Sequence, residues 1–95
     1  MGSIWKFGLG LGGQVVEMPV GAKILHVGEQ RGRPTMWAAC DPGKNGLADR
    51  VKRRVHVVMT GEEEPLGAKY VGTVILAGGD FVVHVYDGGE SDLPA

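Results

Sequence analysis

Seventeen glycines are scattered through this 95-residue chain, separated by short runs rich in Val, Ile and aromatic side chains. Glycine is costly inside a helix and at home in turns. No window sustains the i, i+3, i+4, i+7 spacing of an amphipathic helix. What remains is a series of strands with turn signals every 8–12 residues or so. The pattern predicts an all-β domain of about seven short antiparallel strands in a small sandwich or barrel-like sheet, with little or no helix.

"SIWKF" (residues 3–7) alternates and reads as the first strand, "GLGLGG" (8–13) as a flexible turn, and residues 14–18 as a second strand stopped by Pro19. Ile24, Leu25 and Val27 mark a third strand. "QRGR" reads as a tight hairpin, because Gly32 can adopt φ > 0. Residues 35–40, "TMWAAC", form a fourth strand, and "DPGKNGLAD" (41–49) a loop. Residues 50–60 carry the longest strand pattern, followed by "GEEEPLGAK" as an acidic loop or single helical turn. "YVGTVILA" and "FVVHVYD" close the chain as a hairpin. Residues 1–88 read as one small β domain and 89–95 as a flexible tail.

A chain of this length has one core and buries roughly 60–65% of its unfolded surface, so a homo-oligomer would be a natural source of further burial. With a net charge of −1, the whole molecule offers no general attraction to a nucleic-acid polymer or an anionic membrane. No apolar run reaches the length of a membrane span, and "MGSIWKFGLG" lacks the apolar core of a secretory signal. One cysteine permits no internal disulfide and suits a reducing compartment.

Basic side chains concentrate in "RVKRRVHVV" (50–58). In a strand, Lys52, Arg54 and His56 share one face while Val51, Arg53, Val55 and Val57 share the other. The plainer reading is a solvated face whose charges discourage edge pairing. The sharper one is a row of cations suited to phosphate or carboxylate, for which arginine offers bidentate geometry. Arg31 and Arg33 bracket Gly32 at the hairpin tip: a polar turn, or an anion-binding tip. Trp37 reads first as a core anchor, and otherwise as a ring that stacks a base or an arginine plane. Cys40 reads as a buried small hydrophobe. His84 and Tyr86 share a strand face and could line a pocket or a subunit contact.

His26, His56 and His84 lie on three different strands, with no ligand spacing that favours a metal, and they read as structural or surface residues. Nothing places the carboxylates of "GEEEP" in a cleft, and three adjacent acids read as a solvated loop. "GLGLGG" is neither a dinucleotide fingerprint nor a P-loop. No nucleophile–base arrangement is legible, so the expectation is a protein that is not an enzyme and carries no cofactor and no metal.

The ordered segments "IWKF", "MPVGAKILHVGEQRGRPTMWAACDP", "RRVHVVMTGEEEP" and "YVGTVILAGGDFVVHVYD" resemble a family of short bacteriophage proteins that carry a domain of unknown function. The family's pattern runs from "PxGAxxLxVxxQxGxPxxWA" to "GTxxLxGGxxVxHV", and the resemblance covers nearly the whole chain. "MTGEEEP" departs from it, standing where a less acidic "GTGxxxP" loop is expected. The resemblance implies a phage-encoded protein in the cytoplasm of an infected bacterial host, with no assigned reaction. In that setting the leading expectation is a counter-defence protein that sequesters a small phosphate-bearing, cyclic-nucleotide-like immune signal. Arg31, Arg33, Lys52 and Arg54 would neutralise phosphate, Trp37 or Tyr86 would stack a base, and His84 would donate a hydrogen bond. The alternatives are a protein-binding inhibitor of a host defence complex and a minor structural or assembly protein of the virion.

Overall fold

In a computed structural model the chain is all-β, with seven antiparallel strands in two sheets. The structure describes residues 2–41, 43 and 49–91. Most of the loop expected over 41–49, and the last four residues of the expected tail, lie outside the described residues. The strands are β1 (Ser3–Gly8), β2 (Gly12–Pro19), β3 (Lys23–Gln30), β4 (Arg33–Cys40), β5 (Arg50–Met59), β6 (Lys69–Leu76) and β7 (Phe81–Ser91). A 3-10 turn, Ala77–Gly79, joins β6 to β7. The acidic stretch after β5 forms turns without a helix.

Sheet 1 has the order β1-β4-β3 and sheet 2 the order β2-β5-β7-β6. The two lie face to face, which makes the fold a sandwich. Val27, Met36, Ala38 and Cys40 from sheet 1 bury against Met18, Val55, Val57, Val74, Val83 and Val85 from sheet 2. Alternation explains the choice: on β5, Val55 and Val57 go in while Arg54 stays out. The molecule is only 18 Å through its shortest dimension. That leaves room for one layer of side chains between the sheets, and valine is the residue that fills it.

Three places depart from the sequence reading. The glycine-rich segment after β1 does not hang free: Leu9 is buried in the core and its amide donates to the Pro34 carbonyl. β2 accordingly begins at Gly12, where φ is +87°. β7 continues to Ser91, past the expected start of the tail, because Arg53 and Lys52 of β5 pair with Glu90 and Ser91. Trp37, expected first as a core anchor, points away from the core. Met36, Ala38 and Cys40 take the buried positions of β4, and alternation sends Trp37 to the outer face of sheet 1.

Candidate functional site

The ladders are broken at three points, and the breaks meet around one opening. β3 shifts register between Ile24 and His26, leaving Leu25 extra. β6 does so between Tyr70 and Gly72, leaving Val71 extra. Between Arg54 and Val55 of β5, the extra residue is Gly88 of β7. Such β-bulges bend a strand and re-aim its side chains, and they concentrate beside functional sites. Here they let the sheets part between the edge strands β3 and β6. Beyond the opening the sheets close tightly: a Cβ on Gly72 would stand 2.8 Å from Val27 Cγ2.

The resulting cleft has a volume of about 380 Å³ and is lined by Ala22, residues 23–25 and 69–71, Arg53 and Asp87. That volume lies within the range of small-molecule sites. Arg53 organises it. Its Nε and Nη2 donate to the two carboxylate oxygens of Asp87 at 2.9 and 2.6 Å, and its Nη1 donates to the Ala22 carbonyl at 2.9 Å. The fork therefore ties the inner face of sheet 2 to the turn before β3. Glu90 holds the same turn by accepting the Gly21 amide at 2.8 Å.

The side chains of Arg53 and Asp87 are 13% and 16% exposed, so the pair is largely desolvated. The Arg53 hydrogen bonds hold the Asp87 carboxyl below its ordinary range against the opposing effect of burial, and the Gly89 amide and the Lys69 charge add to this. The same bond raises Arg53 above its ordinary value. Lys69 stands directly across from Asp87 in the β6–β7 ladder, and Lys23 lies at the lip. The cleft thus presents three cations and one carboxylate, and that carboxylate already accepts a bidentate arginine. Glu90, whose charge also acts on Arg53, offsets part of this, and with Lys69 and Lys23 the balance around the opening stays cationic, which favours an anion.

None of the seven side chains singled out from the sequence lines this cleft. Arg31 sits at the exposed hairpin tip, and Arg33 reaches back to donate from Nε to the Leu9 carbonyl at 3.1 Å. Lys52 and Arg54 lie on the outer face of sheet 2, across from Glu17 and Val15. The arginines of the tip and the cations of β5 therefore belong to different sheets. His84 and Tyr86 share the outer face of sheet 2, as their spacing predicts. His84 is held between Thr60 Oγ1 on Nε2 (2.8 Å) and Thr73 Oγ1 on Nδ1 (2.9 Å). Tyr86 packs edge-on against Tyr70 with ring centroids 5.6 Å apart. Trp37 lies beside His26, with centroids 5.9 Å apart, on the outer face of sheet 1.

The residues that sequence reasoning passed over are Arg53, Asp87, Lys69 and Lys23. One signal for them was available. Alternation places Arg53 on the same face as Val55 and Val57, and a cation among inward valines needs a buried partner. The bulge at Gly88 had no such signal.

The three histidines do not share a face: His26 is on sheet 1, His56 and His84 on sheet 2. Among the described residues no group of three metal-ligating side chains gathers. Cys40 is 1% exposed, and burial pushes its thiol up against the opposing charge of Arg50. No helix among the described residues is long and apolar enough to cross a membrane. Residues 1–93 match the model of a family described as a domain of unknown function, DUF7352. No curated protein matches the chain, and no solved structure matches it.

Proposed function

We propose that this chain, which belongs to the DUF7352 family, is a non-enzymatic binder of a small phosphate-bearing ligand held in the cleft between its sheets. One observation carries the reading: a 380 Å³ opening framed by three bulges, with Arg53, Lys69 and Lys23 around a single carboxylate that Arg53 already occupies. Lys69 and Lys23 would supply the charge. Arg53 would orient the anion through the Nη hydrogens that Asp87 and the Ala22 carbonyl leave. A carboxylate engaged by a bidentate arginine is a poor proton acceptor, which favours holding a ligand over transforming it.

The resemblance to short bacteriophage proteins gives this binding a purpose. A phage protein that retains a host's phosphate-bearing immune signal removes it from circulation without chemistry, in the cytoplasm of the infected cell. The ligand site then consists of the cleft residues, in place of the dispersed set expected from the sequence. Calorimetry against cyclic di- and trinucleotides and ADP-ribose isomers tests the proposal. A stoichiometric binding heat that Lys69→Glu removes is expected. No heat with any member of the panel overturns it.

A further inference from the structure

Trp37 is half-buried on the outer face of sheet 1, where nothing in the proposed cleft reaches it. Its row runs straight across the sheet, with Lys6 of β1 on one side and His26 of β3 on the other. The next row is Gly8, Thr35 and Gly28, so the two flanking positions carry no side chain. Those glycines are occupied by their neighbours. A Cβ on Gly8 would meet the Arg33 guanidinium carbon at 3.1 Å. A Cβ on Gly28 would meet His26 Nε2 at 3.3 Å and Trp37 Cζ3 at 3.6 Å. Arg33 therefore lies flat over Gly8, and the two rings lean over Gly28. Thr35 between them is only 3% exposed although it points outward.

This is a built surface: a tryptophan and a histidine laid against a glycine floor, with Lys6 beside them and Arg33 pinned two rows away. Lys23, opposite Ala39 at the far corner, is the same lysine that borders the cleft, so the two sites meet at this one cation. No outward position of β1, β3 or β4 among the described residues carries a carboxylate. An acidic protein would need only the charges. A half-exposed indole ring set between cations also asks for a planar partner, and a strand of unpaired bases supplies both features at once.

We infer that the outer face of sheet 1 is a platform for single-stranded nucleic acid, in which a base stacks on Trp37 while Lys6 and Arg33 hold the flanking phosphates. From the level of Arg33 to that of Lys23 the platform spans about 20 Å along β4. That is room for about four nucleotides, the lower end of what a single β module covers. A net charge of −1 makes the platform a local contact, weak in bulk salt and dependent on the ring.

Fluorescence polarisation of a labelled oligothymidylate at low salt tests the inference. Saturable binding is expected, with a log K against log salt slope of about −2, as release from about three phosphates requires. Trp37→Ala should weaken it about 5- to 150-fold, the range for loss of one stacked base. Lys6→Glu, at an exposed position that folding does not need, should weaken it and flatten the salt slope. Lys69→Glu, in the cleft, should leave it unchanged, which separates this surface from the small-ligand site. Absence of binding at about 100 µM protein, the weak limit of non-specific association, overturns the inference. So does equal binding of poly-glutamate, or indifference to both Trp37→Ala and Lys6→Glu.

Discussion

Asp87 is the residue on which the most depends. Its carboxyl is held below the ordinary range in the folded state, chiefly by Arg53. A depressed folded value means that the stabilisation is fully present above the unfolded carboxyl value. It is lost as the pH falls through the folded one. The molecule should therefore lose stability on acidification below about pH 4, and Asp87→Asn should remove that part of the acid sensitivity. Because the pair is largely desolvated, Asp87→Asn should also cost at least about 2 kcal/mol at neutral pH by stranding Arg53. The double change Arg53→Met, Asp87→Leu should cost less than either single one, since it leaves no charge behind. Urea midpoints of Asp87→Asn, of Arg53→Met and Asp87→Leu singly, and of the double variant, at two pH values, check both statements.

At the tip of the β3–β4 hairpin, Arg31 has φ of 53° and Gly32 has φ of 78°. Two central residues with positive φ make a tight turn whose twist matches the strands, and Asn-Gly is its preferred pair. An arginine in that conformation is strained by about 1 kcal/mol, so Arg31→Asn should raise stability by about that amount in the same urea assay. If Arg31 binds nothing, the change costs no affinity for any ligand. The sequence made Gly32's turn legible, because glycine is the residue that φ > 0 requires. It did not make Arg31's strain legible, because the partner position tolerates many residues at a price only the backbone reveals.

At the scale of strands, alternation accounts for most of what could be read. Val83 and Val85 against His84 and Tyr86, and Val55 and Val57 against Arg54, fall on the faces their spacing demands. Trp37 went astray because "MWAAC" is apolar throughout, so no polar residue marks which of its positions face outward. Leu9 went astray because its neighbours are glycines, while its burial is set by β4, which is distant in sequence. The bulges were illegible for the same reason, since each is a mismatch between two strands and not a property of one. They can still be probed. Gly72→Ala places a methyl 2.8 Å from Val27 Cγ2, where the edge strands close next to the cleft. It should destabilise by about 1–3 kcal/mol, as overpacking does. In a double-mutant cycle with Val27→Ala the two changes should be less than additive, because the smaller residue at 27 accepts the methyl.

Taken whole, the molecule is a thin sandwich with a valine core and a net charge near zero, yet its cations are not evenly spent. Arg50 stacks over Trp5 at 4.6 Å, and Arg53 is paired with Asp87. Lys69 and Lys23 border the cleft without a carboxylate of their own there. Gathering like charge at an opening is unfavourable in the free protein, and a bound anion relieves it. A ligand that binds only the folded state stabilises by mass action, about 2.7 kcal/mol at a hundred times its dissociation constant. For a domain of this size that corresponds to a melting point higher by about 10–20 °C. Melting curves should therefore rise with a phosphate-bearing ligand well beyond the effect of sodium chloride at matched ionic strength. Lys69→Glu should erase the difference, because it both removes a cation and repels the anion beside Asp87. Were chloride to raise the melting point equally, the cleft's charges would be responding to screening alone, and no anion would have been held there.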